Sequence, residues 1–443
     1  MSGVGEERGT GRFRQILQIS LPALGAFGAG MATSVADTAI MGRFSVAAVA
    51  AVGGGSAVYS IGANIVAASA MGSQIRAAHH IGRGGSEGLW RVLRPGLILT
   101  LWVGGASAAV LIVSRAPILR LFVDDAATAS DGAVYLLLRS LGLPLLGCTA
   151  IFRDALYAEK LARRVLTGTV VISGLNLLLD WLLVYGVGPL PRLGAAGNGL
   201  GSLLAVVGGL AVFAYMSRDR LPTWRAGGGR VEGELGEQVK LSWPQAVSAS
   251  LDYVGIAVLF VLAGRLGMME FAATRIGFVL VMIVFSASAA MAVGPRVLIG
   301  RAWGAEDRSE AERWVSASRA LLVLIGLVAG AALLAVGPLL AAGMAADAEL
   351  QRAVGRVMAS VAVTGPLAGL AYAEVAALRA IGGTKMEAVG NITGAWLVMI
   401  PLAAWAASTD GADARLVLLA FSGYWIARWA IAFVFRRSSL RRR

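Results

Sequence analysis

Cysteine is almost absent: Cys148 is the only one in 443 residues, which excludes an internal disulfide and any thiolate cluster. Histidine is confined to the adjacent pair His79 and His80, so no His/Cys metal centre and no metal site are expected. Charge is scarce as well. Asp, Glu, Lys and Arg make up 15% of the chain, against about 25% in an average soluble domain. Only Lys160, Lys240 and Lys385 are lysines, and no glycine is followed by one. There is therefore no Walker-type phosphate loop, and an ATP-driven pump is disfavoured. No enzymatic activity is expected.

What fills the chain instead is hydrocarbon. Hydrophobic residues reach 57% and mean hydropathy is +0.73. Apolar runs long enough to cross a ~30 Å hydrocarbon core recur throughout. They lie near 15–40, 47–71, 95–113, 133–152, 165–187, 195–216, 239–262, 271–294, 318–341, 353–377, 389–407 and 413–435. The fold class is thus an all-α membrane protein of about 12 transmembrane helices. The first 14 residues are polar, with Arg8, Arg12 and Arg14, and lead into a full-length span, so the first helix is expected to stay as an anchor.

A net charge of +13 resembles a nucleic-acid signal, but its distribution argues otherwise. With the N-terminus in the cytoplasm, most of the 39 Lys and Arg residues fall on that side, in clusters such as Arg76–Arg83–Arg91–Arg94, Arg153–Lys160–Arg163–Arg164 and Arg436–Arg437–Arg441–Arg442–Arg443. This is the positive-inside asymmetry, with both termini cytoplasmic. No nucleic-acid partner is expected; the basic tail faces anionic lipid.

The chain also repeats itself. Pro22 and Pro244, Gly42-Arg43 and Gly264-Arg265, Gly72 and Gly294, Gly82 and Gly304, Pro144 and Pro366, and Leu156 and Leu378 are all 222 positions apart. Six helices per copy mean that both repeats enter the membrane from the same side. They form two six-helix lobes related by a pseudo-twofold axis along the membrane normal. The expected division is an N-lobe over 1–216, a cytoplasmic Gly/Arg-rich linker over 217–238 and a C-lobe over 239–443. Two bundles with a seam suit alternating access, which points to a secondary transporter.

Carboxylates near the middle of a span cost ~2.5–3.5 kcal/mol and read as functional by default. Asp37, Asp180, Asp252 and Glu374 qualify. Thr33 lies one turn before Asp37 on the same face. Pro22, 15 residues earlier, removes a backbone hydrogen bond and marks a hinge. In the fifth span Thr169, Ser173, Asn176 and Asp180 form one polar stripe, which must face protein or a wet cavity. Against these stand bland readings. Asp37 could mark a helix end, and Thr169 and Ser173 could serve interhelical hydrogen bonds. Asp252 and Glu374, each eight residues after a proline, read equally as a second ion site or as acids paired with Arg379 or Arg275. Glycines at 53–55 and 197–201 read as close helix packing, and Tyr59, Tyr157, Trp181, Tyr185, Tyr253 and Trp396 as interfacial belt residues.

The run from Pro22 through VADTAIMGR (35–43), with NLLLDWLLVYG (176–186) and GAAGNGLGS (194–202), resembles the multidrug and toxic compound extrusion (MATE) family, most closely its DinF-like branch. The resemblance implies an exporter of amphipathic, often cationic compounds, driven by inward H⁺ or Na⁺. It places Asp37, Asn176 and Asp180 at the N-lobe coupling site, Pro22 at the bend of the first helix, and Ser202 where the branch often has Thr. Asp252 is similar in placement to an acidic residue of the NorM-like branch, which leaves the subfamily and the coupling ion open. The expected function is proton-coupled antiport without a cofactor, by a monomer in the bacterial inner membrane. Na⁺ coupling and a lipid-precursor flippase are the competing readings.

Overall fold

The computed structural model describes residues 3–120, 125–226, 234–344, 348–409, 411 and 413–441. Helices follow one another without a strand among those residues: α1 Gly3–Phe44, α2 Val46–Gly84, α3 Leu89–Leu119, α4 Ala126–Leu141, α5 Leu143–Ala158, α6 Ala162–Tyr185, α7 Gly194–Met216, the short α8 Leu221–Arg225, α9 Glu234–Gly264, α10 Met268–Met291, α11 Val293–Gly304, α12 Arg308–Met344, α13 Ala348–Ala380, α14 Thr384–Ile392, a π-helical turn Thr393–Met399, α15 Ile400–Ala407 and α16 Ala414–Arg441. Among the described residues ten helices are long and apolar enough to span a membrane, and the total reaches 12 if each of two bent pairs is one span. The protein is a multi-pass membrane protein. Its surface agrees: Trp102, Val113, Leu339 and Trp405 are 68–82% exposed, which suits hydrocarbon better than water.

The helices run longer than the apolar windows that revealed them. At 1.5 Å per residue the 39-residue α2 covers roughly 58 Å, nearly twice the hydrocarbon thickness. Its final turns carry Arg76, His79, His80 and Arg83, whose polarity hides them from a hydropathy count. The two bent pairs are repeat mates. Residues 126–141 and 143–158 meet at 41°, as do 348–358 and 362–380, and Pro144 and Pro366 lie just past the two breaks. Proline removes an i→i−4 bond at each.

By packing, the chain divides into Pro22–Ala246 and a second unit made of Met1–Leu21 with Val247–Arg443. The packing division falls at Pro22 and just after Ala246, and part of the expected linker (227–233) lies outside the described residues. Nearly half of α1, up to Leu21, packs with the C-terminal half of the chain, and the first turns of α9 pack with the N-terminal half.

The hydrogen bonds behind this exchange are reciprocal. Ser20 Oγ donates to Met291 O at 2.7 Å and accepts from Gly294 N at 3.1 Å. Ser242 Oγ donates to Ser69 O at 2.9 Å and accepts from Gly72 N at 3.2 Å. Each participant is its counterpart's number plus 222. Ser20 is fully buried and Ser242 nearly so. Glycine is required on the receiving side: a Cβ on Gly294 would meet Ser20 Oγ and Ile16 O, and one on Gly72 would sit 2.8 Å from Gln238 Oε1. Arg12–Glu310 at 3.2 Å and Arg76–Glu234 at 2.9 Å extend the two contacts.

Within the Pro22–Ala246 unit, α2 packs along α3, α4 and α5, while α6 pairs with α7. Its core comprises Val58, Tyr59, Val66, Leu111, Leu136 and Leu143, and a second cluster around Leu89, Leu93, Ile151 and Trp224. In the other unit α12, α13 and α16 form the centre with α10, around Leu280, Phe285, Val357, Phe421 and Trp425.

Candidate functional site

The polar stripe on α6 faces protein. Asp180 is fully buried and Asn176 is 8% exposed. Asn176 Nδ2 donates to Asp180 Oδ2 at 3.0 Å and to Ser202 Oγ at 3.2 Å. Asn176 therefore ties a carboxylate on its own helix to a hydroxyl on α7. The helices approach this closely because α7 begins with glycines: a Cβ on Gly197 would lie 2.5 Å from Leu183 O, and one on Gly201 would collide with Asp180 Oδ1. The expectation that these glycines serve packing is met.

Asp37 arrives from α1. The end of that helix is pinned to α6 by Tyr185, whose hydroxyl donates to Ile40 O at 2.8 Å and whose ring lies 6.1 Å from Phe44. One turn deeper, the half-buried Asp37 brings its carboxyl to that of Asp180, within side-chain hydrogen-bonding reach. Asp37 Oδ1 and Asp180 Oδ1 are both sealed from solvent, and neither receives a donor from the described residues. Two ionised carboxylates have no hydrogen to share, so facing oxygens of this kind call for a proton or a cation.

The remaining sequence candidates take lesser places. Thr33 Oγ1 donates to Ala29 O at 2.8 Å, and Thr169 Oγ1 to Val165 O at 2.9 Å; both hydroxyls are spent on their own helices. Ser173 is half-buried, outside the hydrogen-bonded set. Pro22 lies inside an unbroken helix, at the residue where the packing division falls.

Two side chains join the site that its sequence pattern did not single out. Arg139, near the end of α4, lays its guanidinium over the Tyr59 ring at 4.2 Å, within electrostatic reach of Asp37 and Asp180. Asn198, one turn before Ser202, is buried, and its Nδ2 has no acceptor among the described residues. Tyr59, expected at the interface, is buried as the platform for Arg139. Tyr157 is buried as well, while Tyr253's side chain lies outside the described residues.

Asp252 and Glu374 are not brought together. Glu374 is fully buried between Arg319 and Arg436, with Arg436 Nε at 2.8 Å, and Arg436 continues to Glu312. A carboxylate so neutralised is a structural joint. Arg379 pairs with Glu387, and the side chain of Arg275 lies outside the described residues. Asp252 instead lies near Arg428 and Glu387. Arg428 is buried, donates to Tyr424 OH at 3.1 Å and stacks near Trp425 at 4.8 Å.

A family model supplies the decisive comparison. MatE matches residues 22–182 and again 244–405, more than half of the chain, each copy beginning at one of the paired prolines. The chain belongs to the MatE family. As a MATE protein it is a transporter and not an enzyme. Multidrug resistance protein NorM of Burkholderia vietnamiensis is 24% identical over 401 residues, spanning 87% of this chain and 85% of the relative. A probable NorM of Aromatoleum aromaticum is 27% identical over 317 residues, spanning 70% and 67%. In fold, this MATE protein matches a Vibrio cholerae MATE transporter, VcmN, at TM-score 0.86 and 19% identity, covering 98% of each chain. An outward-facing multidrug resistance MATE transporter matches at 0.88 and 18%, covering 98% and 97%.

Proposed function

We propose that this MATE transporter is a proton-coupled antiporter that exports amphipathic, cationic drugs or metabolites across the bacterial inner membrane, as a monomer with both termini in the cytoplasm. One observation carries the reading: Asp37 and Asp180 face each other, each with one sealed oxygen that receives no donor among the described residues. With a proton between them the pair is satisfied. Without it, the excess negative charge attracts a cation. Proton entry from outside cancels that attraction, and α1 carries the change toward Pro22, where a helix interior already lacks one hydrogen bond. The drive is adequate, since one charge crossing 100 mV gains ~2.3 kcal/mol, roughly a 50-fold gradient.

Sodium is the competing ion. Its ligands must be oxygens, yet Asn176 presents Nδ2 to the carboxylate and Thr33 has turned its hydroxyl to Ala29. This favours the proton. The Asp37–Asn176–Asp180 set supports a DinF-like branch, although the named relatives are NorM proteins, some called multidrug resistance proteins outright. The deciding experiment places purified protein in liposomes and imposes pH or Na⁺ gradients separately. Dye movement should follow the pH gradient and be lost in Asp37→Asn and Asp180→Asn. Sodium-driven movement at constant pH would overturn the proton assignment.

A further inference from the structure

The carboxyl pair shares its surroundings with a permanent cation. Arg139 rests on Tyr59, and its Nε is sealed without an acceptor among the described residues. The ionisable groups that face it come from four elements: Asp37 on α1, Tyr59 on α2, Tyr135 on its own α4 and Asp180 on α6. Among the described residues it forms no ion pair within 4 Å of either aspartate. The guanidinium thus adds its field while leaving the carboxylate oxygens open. The aromatic platform explains how it stays there, since a ring face holds an arginine without consuming an acid.

From these positions we infer that Arg139 sets the charge class of the cargo: the site exchanges one proton for one monovalent cation and discriminates against dications. With both aspartates ionised and the tyrosines neutral, the two acids and one arginine leave a single negative charge. A proton or a monocation brings the group to neutrality. A dication leaves one uncompensated positive charge in a low-dielectric site, which is strongly unfavourable. Removing the arginine leaves two negative charges, and the preference should turn toward dications. Arg139 is then a specificity-determining residue of the exporter, and the inference rests on the antiport reading above.

Ethidium and propidium make the test, because they share one phenanthridinium and differ by a quaternary ammonium arm, carrying one and two positive charges. Proteoliposomes with DNA trapped inside report entry of either dye by fluorescence under an imposed pH gradient. The wild type should show kcat/KM for ethidium at least about tenfold above that for propidium, a discrimination of ordinary size for one charge in a buried site. Arg139→Gln should lower that ratio by about tenfold or more, and Arg139→Lys should keep it within about threefold of wild type. A merely structural role would reduce both dyes together and leave the ratio alone, which would overturn the inference. So would a wild type that carries both dyes equally well, a result that needs no variant to fold. If a dication follows the pH gradient as fast as the monocations do, the charge rule fails alone. If no cation follows it, the antiport reading falls and takes the charge rule with it.

Discussion

A single methyl group should uncouple the transporter without touching a titratable side chain. Gly201 on α7 lies directly across from Asp180. A Cβ there would run into Asp180 Oδ1, 2.9 Å from the Asp180 backbone nitrogen and 3.1 Å from Leu179 C. Ordinary contacts need about half an ångström more, so α7 must retreat from α6. The first bond to suffer is the longer arm of the Asn176 bridge, 3.2 Å to Ser202. Overpacking of this kind costs about 1–3 kcal/mol, equivalent to roughly 5- to 150-fold in an equilibrium. Gly174 on α6 supplies the control, because a Cβ on it meets nothing within 4 Å. Gly201→Ala and Gly174→Ala are compared by thermal unfolding in detergent and by drug-evoked proton release from proteoliposomes. Gly201→Ala should lower the melting temperature and weaken proton release relative to dye bound, while Gly174→Ala should match the wild type. Two indistinguishable variants would refute the claim that Asp180 is held by close packing of α6 on α7.

Glu374→Gln should destabilise the protein by about 3–5 kcal/mol, the usual result of stripping the partner from buried arginines, and should leave the coupling ion unchanged in the gradient assay. Ser20→Ala should cost about 1–3 kcal/mol, since it leaves the buried Gly294 amide at the start of α11 without its partner, and Ser242→Ala should cost less, because Gly72 lies well inside α2 where a helical carbonyl is at hand; unequal losses in thermal unfolding would check the difference. Acid should weaken the turn between α5 and α6. There burial pushes the Glu159 carboxyl up, but hydrogen bonds from Arg220, Ser86 and Trp224 outweigh it and hold the group below its ordinary value. A depressed acid contributes stability above its unfolded pKa of about 4.3, and that contribution is lost as pH falls through the folded value. Thermal unfolding followed from pH 6 to pH 3 should therefore show a smaller loss in Glu159→Gln than in the wild type.

The lobes and the N-lobe site were readable for different reasons. Proline and glycine positions survive in a repeat because the backbone itself demands them, so Pro22/Pro244 and Gly72/Gly294 announced the duplication. Asn176 and Asp180 stood out because polar groups four residues apart on an apolar helix must share a protected face. Ser20 and Ser242 passed unnoticed, since serine is common in membrane helices and the partners lie some 170 to 274 residues away. Arg139 was overlooked because an arginine near the end of an apolar run ordinarily snorkels to the headgroups; only the position of Tyr59 reveals that it turns inward. Glu374 gave the same local signal as Asp180, a carboxylate amid alanines and leucines. What separates them is long-range pairing with Arg319 and Arg436, which no spacing rule encodes.

The reciprocal serine clasp bears on how such a chain could have arisen. A single ancestral repeat, 222 residues long by the spacing of the modern pair, would have carried both the leading serine and its receiving glycine, yet in the modern chain each serine binds the glycine of the other copy. Two copies paired in the modern way would trade those segments, which is the geometry of a domain-swapped homodimer. Fusion of the genes then turned an encounter between molecules into a tether within one. The same geometry constrains engineering today: a fragment ending at the linker carries one half of each clasp, so the two fragments should be stable only when made together.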